Sequence, residues 1–213
     1  MAMSVASRER AALADLFLEV GPDAPTLCTG WDTRALAAHI VVRERRWDAG
    51  FSTVVPAALA WTRRVQAGYA AKPFEQVVAM FRAGPPWPSP LRIPAVDRAF
   101  NTAEMLVHHE DVRRAGEVWA PRELPPKAQD AFWRVLRRSV LFTMRPRARP
   151  CTVALARPTG ERIVVGRGEP AVTVTGDPSE LMIFSYGRQA RTRVELAGPD
   201  DLVAAVAGAN FGT

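Results

Sequence analysis

The stretch Asn101-Thr102-Ala103-Glu104-Met105-Leu106-Val107-His108-His109-Glu110-Asp111-Val112 decides how this chain is read. It lies inside a helical pattern expected from about Ala95 to Ala115. On such a helix Glu104, His108 at i+4 and Asp111 at i+7 share one side, flanked by Val96, Phe100, Met105, Val107 and Val112. His109 is turned by about 100° from His108, toward a side carrying Arg98, Thr102 and Arg113. The expectation is that Glu104, His108 and Asp111 face the core and that His109 points away. Burying a carboxylate and an imidazole on one stripe is costly unless something pairs with them. A metal ion would pair with both at once, because the i, i+4 spacing lets both side chains reach it.

The third histidine of the chain, His39, belongs to an earlier helical segment and shares a stripe with Leu36, Ile40, Arg43 and Trp47. On a facing helix it would complete a set of two histidines and one glutamate with coordination positions left open, an arrangement used by catalytic zinc. Iron or manganese would also suit these donors. Asp111 reads as a partner that orients an imidazole rather than as a fourth ligand. From the residues alone, His39 could equally be an ordinary core histidine, and Glu104–His108 a hydrogen-bonded helical pair. A metal with open positions lowers the pKa of a bound thiol or water, or polarises a carbonyl. Arg34 and Arg43 are candidates to hold a carboxylate by paired hydrogen bonds. Arg43, one turn beyond His39, is the first choice; its alternative is a buried stem with the charged head in water.

Outward from these segments, the first two-thirds of the chain read as helices. Ser7 can cap a helix built on Ala12, Leu13, Leu16, Phe17 and Val20 that ends at Gly21-Pro22. A loop from Asp23 to Gly30 leads to a helix capped near Asp32 or Thr33. A helix from about Val54 to Ala71 follows Phe51, then a short one from Pro73 to Arg82. The proline-rich run from Gly84 to Pro90 can only be loop. Lys127 to Met144 is the last long helix. After Arg145 the pattern changes: Thr152–Ala156 and Arg162–Val165 form a hairpin around Pro158-Thr159-Gly160, and Ala171–Thr175 and Arg193–Leu196 are further strands. Short helices are expected at Asp177–Tyr186 and Pro199–Ala207. Strands grouped after helices argue for an α+β chain, a helical bundle over 1–145 and a small α+β domain over 146–213.

Bulk composition excludes several classes. With 213 residues the chain has enough length for one well-packed domain or a domain with a small appendage. No stretch approaches the roughly 20 apolar residues of a membrane span. Charges interrupt what would have to be the apolar part of a signal peptide, so a cytoplasmic location is expected. Cys28 and Cys151 show no metal or redox spacing and fit a reducing compartment. The net charge of +6 comes almost wholly from arginines scattered among acidic residues, which reads as solvated helix faces and not as a nucleic-acid surface. The excess of Arg, Ala and Pro over Lys suggests a GC-rich bacterial genome.

Trp31-Asp32-Thr33-Arg34-Ala35-Leu36-Ala37-Ala38-His39 resembles the W-x-x-R-D-L-x-x-H motif of the mycothiol-dependent maleylpyruvate isomerases and their DinB-like relatives. The segment from Glu104 through His108 to Asp111 resembles that family's E-x-x-x-H-x-x-D motif. Arg8-Glu9-Arg10-Ala11-Ala12-Leu13 and Arg43-Glu44-Arg45-Arg46 look like an actinobacterial branch known as metal-binding proteins. The tail, from Val172 through Gly187-Arg188 to Asp200, looks like the family's C-terminal domain, related in shape to sterol carrier proteins. The resemblance implies a DinB-like four-helix bundle that binds zinc or a similar ion at His39, Glu104 and His108. It also implies mycothiol as a thiol cofactor, a small electrophilic substrate, and an arginine lent by the C-terminal domain, best matched by Arg188. Arg43, Arg188 and Asp111 are then the expected catalytic residues, and Arg34 and Arg43 the cofactor-binding ones. Ala35 departs from the usual Asp, which puts a helix-start or second-layer contact in question rather than a ligand. The expected activity is isomerisation or S-transfer by a monomer or homodimer; the alternatives are a non-catalytic metal or ligand carrier, or a hydrolase using metal-bound water.

Overall fold

The computed structural model describes residues 3–46, 56–87, 89–144 and 151–211, with only the backbone of 56–58 in the helix beginning at Pro56. It is a mixed α+β chain of two compact units, Met1–Trp119 and Ala120–Thr213. The expected boundary after residue 145 lies outside the described residues, as do Trp47 and Phe51.

The first unit contains α1 (Val5–Val20), α2 (Thr33–Arg45), α3 (Pro56–Ala70), α4 (Phe74–Arg82) and α5 (Pro94–Arg113). Ser4, not Ser7, caps α1: the Ser7 amide donates to the Ser4 hydroxyl at 3.0 Å, so Ser7 is already inside the first turn. Asp32 caps α2 by accepting from the Ala35 amide at 2.7 Å, which fixes the helix start despite the alanine at 35. Helix α1 packs against α4 and α5, and α2 packs against α3 and α4. Their common core holds Leu13, Phe17, Leu36, Ile40, Val77, Phe81 and Met105. Phe17 meets Phe74 and Phe81 edge-on, and each such buried side chain contributes about 1.5–3 kcal/mol.

A buried polar chain crosses this core. The Arg10 guanidinium forms a two-pronged pair with Glu44, both bonds at 2.5 Å, and also donates to the Phe81 carbonyl at 3.2 Å. Asn101 on α5 donates to Glu44 at 3.2 Å and to Asp97 at 2.9 Å, and accepts from Arg43 at 2.6 Å. The Glu44 carboxylate thereby ties α1, α2 and α5, and Arg10 adds α4 through the Phe81 carbonyl. Arg45 adds a cap, donating to the carbonyls of Met80 and Gly84 at the end of α4.

The second unit contains α6 (Pro126–Thr143), a four-stranded sheet, α7 (Pro178–Ser185) and α8 (Asp200–Ala207). The strands β1 (Val153–Ala156), β2 (Arg162–Val165), β3 (Val172–Thr175) and β4 (Glu195–Ala197) stand in the order β2-β1-β3-β4. β1 and β2 form the expected antiparallel hairpin, while β1 and β3 run parallel. β4 begins two residues later than the expected Arg193 because the Arg193 amide is taken by Glu180 instead of the ladder. Helix α6 buries Phe132, Leu136 and Val140 and packs on α7. Gln129 of α6 both accepts from the Ser179 amide at 2.9 Å and donates to its hydroxyl at 3.1 Å. The last long helix therefore groups with the sheet, whereas its place in the sequence had suggested the helical unit. Among the described residues no helix is long and apolar enough to cross a membrane.

Removing Glu44 strands Arg10 in the core. Glu44→Ala is expected to lower unfolding free energy by about 3–5 kcal/mol, while the paired Arg10→Met/Glu44→Leu change costs much less. Urea unfolding of the three proteins checks this; equal losses in both variants would contradict it.

Candidate metal centre

Helix α5 is buried on nearly every side from Asn101 to Val112, with Glu104 the one partly exposed residue. This positions five ionisable groups in the interior, and each has a partner. Glu104 Oε1 lies 3.2 Å from His108 Nε2, 3.8 Å from His39 Nε2 and 3.2 Å from Arg43 Nε. The donor atoms of His39, Glu104 and His108 all lie within 4.8 Å of one another, close enough for one ion. The two imidazoles meet edge to face at 5.7 Å between ring centres, and the Trp31 ring lies 4.7 Å from that of His39. The His39 side chain is 31% exposed and that of His108 11%, so solvent reaches the cluster mainly beside His39.

The other nitrogen of His108 is held from behind. Nδ1 lies 3.0 Å from Asp111 Oδ2, the geometry by which a carboxylate orients a metal-binding imidazole. Burial alone would raise the Glu104 carboxyl, but Arg43 and the hydrogen bonds from His108 and His39 outweigh it and hold it well below the usual carboxylate range. Burial would lower His108, yet its bonds to Asp111, Cys28 and Glu104, with the Glu104 charge, push it well above the ordinary histidine value.

Of the other expected residues, Arg43 is beside the cluster, with each of its three nitrogens engaged: by Asn101, the Phe100 carbonyl and Glu104. It holds a donor in place rather than presenting a vacant fork. Arg34 instead stacks over Phe74 and donates to the Ala70 carbonyl at 3.5 Å. Arg188 belongs to the second unit, where it follows Gly187 (φ 87°) and donates to the Tyr186 carbonyl. Phe100, expected to flank the inner face, is 61% exposed.

One expectation is overturned, and one neighbour of the site carries no signal in the sequence. His109 does not face solvent: it is 5% exposed and its Nδ1 lies 2.9 Å from Glu9 on α1, because α5 has a second buried face. Cys28, set aside for lack of spacing, lies with its Sγ 3.2 Å from Asp111 Oδ2 and 3.8 Å from His108 Nδ1. No local pattern signals this contact, which joins positions 80 residues apart.

By fold, the chain is similar to the crystal structure of the mycothiol-dependent maleylpyruvate isomerase, with a TM-score of 0.62 and 15% identity over 91% of this chain and 90% of that one. A histidine-to-alanine mutant of that enzyme gives a TM-score of 0.55 at the same identity and coverage. At this identity the likeness establishes the fold. No protein-family model matches the chain, and no curated protein matches it.

Two outcomes follow from this geometry. His108→Ala is expected to abolish zinc uptake, whereas His109→Ala retains it and loses about 1–3 kcal/mol of stability through its broken bond to Glu9. Elemental analysis with urea unfolding checks both, and a metal-free His109→Ala protein would contradict the assignment. The second concerns pH. A raised His108 stabilises the metal-free fold fully below about 6.5, and this contribution is lost as pH climbs through the raised value. A depressed Glu104 contributes above about 4.3 and loses that contribution as pH falls through its lowered value. The metal-free thermal midpoint, measured relative to His108→Gln, should therefore fall above pH ~6.5. A difference that grows with pH would contradict it.

Proposed function

We propose that this chain binds one divalent metal through His39, Glu104 and His108 and uses an external thiol, mycothiol, to isomerise or S-transfer a small electrophilic substrate. The observation carrying this reading is the convergence of three donors from two helices, with solvent access left beside His39. The fold likeness to a mycothiol-dependent isomerase supports the choice of thiol chemistry. Zinc is the ion this donor set favours. When bound there, the ion supplies a Lewis acid that makes a thiol acidic at neutral pH.

The chain's own residues do the rest. Asp111 fixes the His108 ring so that Nε2 is directed at Glu104, and the Trp31 ring, tilted against that of His39, limits its rotation. Arg43 aligns the Glu104 carboxylate and keeps it ionised. Asn101 and the Phe100 carbonyl in turn hold Arg43, so its role is positioning, and the buried Arg10–Glu44 pair anchors Asn101. Cys28 sits on the Nδ1 side of His108, opposite Glu104, so the nucleophilic sulfur would come from outside the chain.

Cobalt substitution tests this. In a Cys28→Ser background, adding mycothiol to the cobalt protein is expected to produce an intense near-ultraviolet thiolate-to-cobalt band, and His39→Ala abolishes it. An unchanged spectrum at millimolar mycothiol would replace thiol transfer with hydrolysis by metal-activated water or with ligand carriage.

A further inference from the structure

The loop between α1 and α2 is folded tightly against α5. The Leu27 amide donates to the Asp111 carbonyl at 3.0 Å, and the Cys28 amide to the Thr26 hydroxyl at 3.1 Å. That hydroxyl donates to the Trp31 carbonyl at 2.8 Å, and the Trp31 amide returns to the Cys28 carbonyl at 3.0 Å. The Cys28 backbone is thus held at a fixed place, with its thiol beside Asp111 and the Nδ1 edge of His108, away from Glu104.

At that place three different donor atoms meet. Cys28 Sγ is 3.2 Å from Asp111 Oδ2 and 3.8 Å from His108 Nδ1, and the last two are 3.0 Å apart. Zinc bonds of about 2.3 Å to sulfur and about 2.0–2.2 Å to nitrogen or oxygen require donor separations of about 3.3–3.6 Å in a tetrahedron. The observed triangle needs shifts of only a few tenths of an ångström to meet this. Asp111 is 1% exposed and His108 9%, so two donors are buried, while the partly exposed Cys28 leaves a way in.

We infer that Cys28, His108 Nδ1 and Asp111 form a second metal site, selective for thiophilic dications such as Zn2+ and Cd2+. A soft thiolate with an imidazole favours such ions over magnesium or calcium. Binding forms one bond each from the metal to sulfur, nitrogen and oxygen, and the thiol proton, with any proton on Nδ1, leaves to solvent. Thiolate and carboxylate together match the charge of the dication, which lowers the cost of burying it. This site does not rest on the function proposed above: it uses the opposite nitrogen of His108 and neither His39 nor Glu104.

Cadmium titration of the metal-free, full-length protein tests it, read by the ultraviolet sulfur-to-cadmium charge-transfer band. The band is expected to saturate near one equivalent in His39→Ala, which lacks the first centre, and between one and two equivalents in the wild type and in Cys151→Ser, where the first centre also takes cadmium. It is expected to vanish in Cys28→Ser. Asp111→Asn keeps the sulfur and should need at least tenfold more cadmium. A band that survives in Cys28→Ser, is absent from both wild type and His39→Ala, or keeps full affinity in Asp111→Asn overturns the site. Loss of mycothiol binding by the cobalt protein would leave these outcomes unchanged, so the two readings fail separately.

Discussion

Glu104, His108, His109, Glu110 and Asp111 lie on a helix that is buried on nearly all sides, and none of them can leave water without a partner. The surrounding structure is organised by that demand. Glu9 on α1 takes His109, Arg113 and Arg114 take Glu110, the loop before α2 takes Asp111, and α2 brings His39 and Arg43 to Glu104. Among the described residues, no buried side-chain nitrogen or oxygen is left without a hydrogen bond. Such complete pairing makes the arrangement rigid, since moving one member uncovers the next.

Rigidity is also what a metal centre requires of its ligands, because a loose donor costs affinity and permits the wrong geometry. Here the support runs inward from the donors. Glu104 is held by Arg43, Arg43 by Asn101, and Asn101 by Glu44, which is itself locked to Arg10. The side open to solvent is that of His39. A buried ion pair three links from a donor thus serves the site's geometry as well as the packing of four helices.

Much of this was legible in the sequence, and the failures have physical causes. The helices of the first unit were readable because their apolar residues recur at 3.6-residue spacing, and Glu104–His108 because i, i+4 places both on one face. The outward direction expected of His109 fails because a helical wheel assigns one buried face, whereas α5 has two. The segments around Arg10 and Glu44 carry no local sign of the buried pair they form, 34 residues apart, which only the fold brings together. The contact of Cys28 with Asp111, 83 residues away, is likewise invisible to local spacing. Helix α6 shows an equally clear amphipathic pattern, but a pattern does not say which partner its apolar face will meet, and that partner proved to be α7.

The claim on which the rest turns is that His39, Glu104 and His108 hold one ion. A crystal of the zinc-loaded protein, examined by anomalous scattering at the zinc edge, tests it most directly. A peak is expected about 2.0–2.2 Å from both Nε2 atoms and from a Glu104 oxygen, with further positions filled by solvent. Zinc-loaded crystals with no peak among these three donors would contradict it.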